Sequence, residues 1–83
     1  MRVEFDQPVV VALGKPGTSR KVTTVMEAIY CIRHEKWPRA PGAILRNACR
    51  LLDEARMGNV APSEARKAFS DAAEEANILV NRS

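Results

Sequence analysis

The spacing of apolar residues changes period once along this chain, and that change fixes the class of fold. Val3, Phe5, Val9, Val11 and Leu13 all fall on odd positions, the alternation of a strand with one buried face. From Val25 onward the apolar residues recur every three or four positions, the spacing of helices that bury one stripe. Strands come first and helices afterwards, within 83 residues. That order reads as α+β, and the length allows one core. The expected architecture is ββααα: an N-terminal antiparallel β-hairpin followed by three α-helices, packed on one face of the small sheet. Residues 1–83 are expected to form a single domain.

Local signals place the boundaries. Pro8 carries no amide hydrogen, so either this is an edge strand or regular pairing begins after Pro8, with the main strand over roughly Val9–Leu13. The dense turn signal Gly14-Lys15-Pro16-Gly17-Thr18-Ser19 leads into a short second strand over Arg20–Thr23. Thr24-Val25-Met26-Glu27 matches a capping box, in which the Thr24 hydroxyl accepts from the Glu27 amide and the Glu27 carboxylate reaches back to the cap amide. Helix 1 is then expected over Val25–Glu35, with Val25, Ala28, Ile29 and Ile32 as its stripe and Trp37-Pro38 as its stop. Helix 2 is expected from Pro41 or Gly42 to Met57, with Gly58 in the left-handed conformation that closes it. Helix 3 starts at Pro62, with Ala61 a poor cap. The segment Ile78-Leu79-Val80 fits either the end of that helix or a short third strand. Ile29, Ile32, Leu51, Leu52, Ala68 and Phe69 are expected in one core.

Little in the sequence points to catalysis. His34 is the single histidine; it stands between Arg33 and Glu35 and reads as a surface residue, because a general base needs a positioned partner. Two cysteines and one histidine on separate segments are too few and too scattered for a structural zinc. No catalytic residue, metal or cofactor is expected. Cys31 and Cys49 read as small apolar core residues; the sharper alternative is a redox pair pinning helix 1 to helix 2, which needs their Cα atoms within about 7 Å. The glycine-rich loop at 14–19 has the ingredients of a phosphate loop, but the wrong spacing, and it leads into a strand. Arg66 is not demanded by packing; Glu64 or Glu54 is its expected salt-bridge partner. Trp37 either covers the helix ends from the core side or, exposed among Arg33, Lys36 and Arg39, acts as an interaction anchor.

Charge is unevenly spread. Thirteen Lys and Arg stand against ten Asp and Glu, a net charge of +3. Between Gly14 and Arg50, eight basic residues face only Glu27 and Glu35, whereas residues 59–83 are slightly acidic. The start of the chain carries Glu4 and Asp6 and too short an apolar run for an export signal. No stretch is long enough to cross a membrane. The expected setting is cytoplasmic, without a membrane partner and with reduced thiols.

Two functional readings follow. The first is a non-catalytic protein-interaction module, forming a homodimer or binding another protein, because a lone hairpin leaves two unpaired edges. The second is an accessory nucleic-acid binder using the basic segment 14–50, with Arg20, Lys21, Arg33, Lys36, Arg39, Arg46 and Arg50 on phosphates. No recognition helix, zinc finger or aromatic-rich sheet accompanies that segment.

Several stretches together carry a family resemblance: Pro8-Val9-x-Val11, Trp37-Pro38, Cys49 followed by Ala55 and Gly58, and Ala65-Arg66-x-Ala68-Phe69-x-x-Ala72-Ala73-x-Glu75-Ala76. Over nearly its whole length the chain resembles a family of small proteins common in rhizobia and related alphaproteobacteria, catalogued as domain of unknown function 982. It departs from that pattern at Asn77, where a glycine is expected, and at Ala61, where a serine cap is expected. The resemblance implies a small, soluble, bacterial α+β protein. It brings no activity and no site residues with it.

Overall fold

The computed structural model describes residues 3–12, 19–34, 37 and 42–80. The turn expected at 14–18, the candidate contacts Lys36 and Arg39, Pro38 and the side chain of His34 lie outside the described residues.

Strand β1 runs over Glu4–Val11 and β2 over Arg20–Thr24, paired antiparallel. Val9, Val10 and Val11 stand opposite Val22, Lys21 and Arg20, and the next pair back is Glu4 with Thr24. Between those pairs β1 advances from 4 to 9 while β2 advances only from 24 to 22, so β1 bulges out through Pro8. Regular pairing begins at Val9, where the missing proline donor no longer interrupts it. Phe5, Val9, Val11, Val22 and Thr24 are buried, and they give the sheet one apolar face.

All three helices lie on that face. Helix α1 spans Val25–His34, α2 Ala43–Arg56 and α3 Pro62–Glu75. α3 packs on β1 and α1 on β2, while α2 packs on α3 and α1. The main core holds Phe5, Val9, Val11, Val22, Val25, Leu52 and Phe69; an adjoining cluster gathers Leu45, Ala48, Ala68 and Ala72 where α2 meets α3. The expected single core is therefore two joined clusters. Leu52 and Phe69 are fully buried, but Ile29, Ile32 and Leu51 sit half-buried at its margin. The buried stripe of α1 is Val25, Ala28 and Cys31. Its sheet-facing side needs small side chains, and the two isoleucines turn toward the flank.

Helix ends follow the sequence closely. The Glu27 amide donates to Thr24 Oγ1 at 3.1 Å, the first half of the capping box. The carboxylate reaches one residue further back than expected, accepting from the Thr23 amide at 2.8 Å and the Thr23 hydroxyl at 2.9 Å. Thr24 stands opposite Glu4 across the sheet, and the Val25 amide after it donates to Val3 O at 2.9 Å. α2 closes with Gly58 at φ +84°; the Asn59 amide donates to Glu54 O at 2.8 Å and the Gly58 amide to Ala55 O at 3.0 Å, a Schellman closure. α3 ends in the same way. Asn77 takes φ 63°, and the Ile78 amide donates to Ala73 O and the Asn77 amide to Glu74 O, both at 3.0 Å. Asparagine is the one common residue besides glycine that visits this region readily, which accounts for Asn77 where a glycine was expected.

That closure decides the role of the segment after α3. The Ala12 amide donates to Ile78 O and the Val80 amide to Val10 O, both at 2.8 Å, and Leu79 bridges Val11 antiparallel. Residues 78–80 are thus a short strand-like rung on the outer side of β1. The hairpin does not present two fully open edges: residues 78–80 flank β1 over Val10–Ala12, and among the described residues no strand pairs with the outer edge of β2.

Arg66 finds neither Glu64 nor Glu54. Its Nε donates to Asp6 Oδ1 at 2.7 Å, tying α3 to the bulge of β1. The bulge turns Asp6 toward the helix, a placement that strict alternation does not anticipate.

Candidate functional site

The face where α1 runs beside β2 gathers two of the large apolar side chains left exposed among the described residues. Met26 is 53% exposed and Tyr30 48%. They stand one turn apart on α1, with Arg33 next on the same side, the i, i+4, i+7 spacing that forms a stripe. Arg20 shares the inward face of β2 with Val22, and its guanidinium carbon lies 5.4 Å from the centre of the Tyr30 ring, within cation–π range. With Glu27 and Ile29 these residues line a shallow depression of about 510 Å³.

Backbone direction adds to the surface. The Val10 carbonyl accepts from Val80 on the far side of β1. The facing pair Val10–Lys21 is therefore a non-hydrogen-bonded pair, and the Lys21 amide and carbonyl point to the open edge of β2. One position on, the Thr23 amide is taken by Glu27. These bonds hold the Glu27 carboxyl below its ordinary range: first the Thr23 amide, then the Thr23 hydroxyl and the Thr24 contact, with the charge of Arg20 adding to them against some burial.

The candidate contacts divide among several places. Arg20, Lys21 and Arg33 surround the α1–β2 face. Arg33 Nη2 lies 3.5 Å from Asp53 Oδ2, and Arg56 Nε lies 3.9 Å from the other oxygen of the same carboxylate. Arg46 and Arg50 are exposed on α2, and Arg50 donates to Asn47 Oδ1 at 3.0 Å. Trp37 is half-buried and packs on both core clusters; its ring centre lies 5.8 Å from that of Phe69. It is a lid on the core, committed to packing rather than offered as an exposed anchor.

Neither cysteine is in a disulfide. Cys31 is in the main core, while Cys49 is half-buried beside Ile29, Ile32 and Arg33. Burial raises the Cys49 pKa above the ordinary thiol value, with Arg33 opposing and Asp53 reinforcing; a thiol so shifted is a weak nucleophile at neutral pH.

A second depression, of about 480 Å³, lies between α2 and α3. Ala43, Ile44 and Ala68 contribute its apolar lining, and Asp71, Glu74 and Glu75 make it acidic. Sequence reasoning missed both Met26 and Tyr30. The available signal was their position: large apolar side chains off the buried stripe of α1. Among the described residues no helix is long and apolar enough to cross a membrane, and none form a group of three or more His, Cys, Asp and Glu that can hold a metal.

No curated protein matches the chain. It is similar to the NMR structure of an Agrobacterium tumefaciens protein at 32% identity, with a TM-score of 0.77 over 98% of this chain and 79% of that one. Residues 7–80 match the family described as proteins of unknown function, DUF982. With that match over most of its length, this chain belongs to the family of proteins of unknown function, DUF982.

Proposed function

We propose that the protein is a non-catalytic protein-interaction module that docks a partner chain on the α1–β2 face. The observation that carries this reading is the pairing of Met26 with Tyr30, two large side chains left about half exposed next to an open strand edge. Leaving such side chains in water forgoes the stabilisation of burying them, roughly 1.5–3 kcal/mol for a full-sized apolar group. Tyr, Met and Arg are also the residue types enriched where proteins meet.

Affinity capture from the native cell, with both protein and nucleic acid identified, tests the reading. The wild type should retain a protein that a Met26→Ser/Tyr30→Ser variant releases. Both positions are exposed, so the variant should keep its fold. Equal recovery by wild type and variant, or recovery of nucleic acid alone, counts against the proposal.

A further inference from the structure

We infer that the docked partner is an extended, acidic segment of a different protein, bearing apolar side chains, which pairs with the backbone of Lys21 and covers Met26 and Tyr30. This deepens, and rests on, the reading of the α1–β2 face as a docking surface. Three features of that face select the occupant.

The first is backbone geometry. The Lys21 amide and carbonyl point outward, which suits addition of a strand. The Glu27 carboxylate occupies the next outward amide, at Thr23, and closes the edge there. The added ladder is therefore short, and most of the affinity comes from side chains.

Charge is the second. Arg20 and Arg33 line the depression, and Lys21 stands exposed on the strand beside it. Arg33 and Arg56 share the single carboxylate of Asp53, which leaves that group net positive. The acid within the depression, Glu27, is held by two donors, the amide and the hydroxyl of Thr23. An acidic segment complements this surface, and a basic one is repelled by it.

The third feature disfavours a second copy of the chain. Two-fold pairing centred on Lys21 sets that lysine opposite its own twin, a destabilising like-charge pair. It also brings two sets of Arg20 and Arg33 together. The acidic surface of the chain, between α2 and α3, is itself a depression, and two hollows do not fill one another.

The test is selection from a phage-displayed random-peptide library on the full chain, followed by titration of a synthetic consensus peptide. The selected peptides should interleave two or more Asp or Glu with apolar residues. Their affinity should fall about tenfold or more in Lys21→Glu/Arg33→Glu and in Met26→Ser/Tyr30→Ser. Bound peptide should slow hydrogen exchange at the Lys21 amide. Lys21 and Arg33 are exposed, and a preserved amide spectrum verifies that the variants fold. A neutral or basic consensus that still depends on Met26 and Tyr30 overturns the acidic chemistry and leaves the docking face standing. Peptides indifferent to all four substitutions, or no enrichment at all, overturn both. A concentration-dependent dimer, abolished by Met26→Ser/Tyr30→Ser, replaces the foreign segment with a second copy.

Discussion

Phe69 is the residue on which most of the core converges. It is fully buried, with its ring centre 6.3 Å from Phe5 on β1 and 5.8 Å from Trp37 beyond α1. Phe69→Ala removes the one large side chain on an alanine-rich helix face, and the small neighbours cannot collapse far into the gap. The expected cost is about 3–5 kcal/mol, a large share of the roughly 5–15 kcal/mol that holds a domain together. Chemical denaturation measures it, and an unchanged midpoint would remove Phe69 from the centre of the core. Glu27 sets a second expectation, through pH. Its bonds to Thr23 and Thr24 lower its carboxyl pKa in the folded chain. As pH falls through the ordinary carboxylate value, the unfolded chain takes up the proton first, and stability declines until the folded carboxyl is protonated as well. The contribution is complete above the ordinary value and lost below the lowered one. In Glu27→Gln that acid-side decline should be shallower, as followed by thermal melts from neutral pH into acid. Melts of equal slope would mean that the carboxylate does not titrate against these bonds.

The elements themselves were largely legible in the sequence. The period change, the Thr24–Glu27 cap, Gly58 and Pro62 each act through bonds within a few residues, and the elements stand close to where those signals place them, except that β1 starts at Glu4 rather than Val9. What escaped depends on contacts distant along the chain. Arg66 bonds Asp6, sixty positions away, because a bulge turns Asp6; no local spacing specifies that. The Ile78–Val80 segment was balanced between helix and strand for a related reason. Its apolar residues fit either, and the decision comes from a left-handed residue followed by docking on β1. Asn77 is therefore the informative position. Asn77→Gly keeps the φ of 63° without a Cβ and should be neutral or stabilising within about 1 kcal/mol, some of the gain offset by a freer unfolded chain. Asn77→Ala should cost about 1–2 kcal/mol. Because the same residue aims Ile78 and Val80 at β1, the alanine variant should also lose exchange protection at Ala12 and Val80 before the rest of the sheet. Uniform protection across the sheet would separate the turn from the docking of the C-terminal rung.

Across the whole molecule, charge reads differently in three dimensions than along the chain. The basic middle is one block in sequence, yet its described members divide between the α1–β2 face (Arg20, Lys21, Arg33) and the outer surface of α2 (Arg46, Arg50). Arg33 is engaged with Asp53 and Arg50 with Asn47. The exposed pair that marks the candidate site was hidden because Met26 and Tyr30 look like ordinary apolar residues until the buried stripe of α1 is known. This dispersal bears on the competing nucleic-acid reading. Phosphate binding gains from charges that follow one backbone track, with affinity falling steeply in salt as counterions are released. Here the net charge is only +3, and Asp71, Glu74 and Glu75 place acids on the α2–α3 side. Wild-type affinity for duplex DNA, single-stranded DNA and RNA should therefore be weak, about 10⁻⁴ M or worse near physiological salt. Fluorescence anisotropy over a salt series measures it, with Arg33→Glu/Lys36→Glu/Arg39→Glu as the comparison. Submicromolar binding at physiological salt, abolished by that triple reversal in a folded protein, would displace the protein-docking reading. Weak binding with little difference between the two proteins leaves the arginines of the α1–β2 face to an acidic polypeptide.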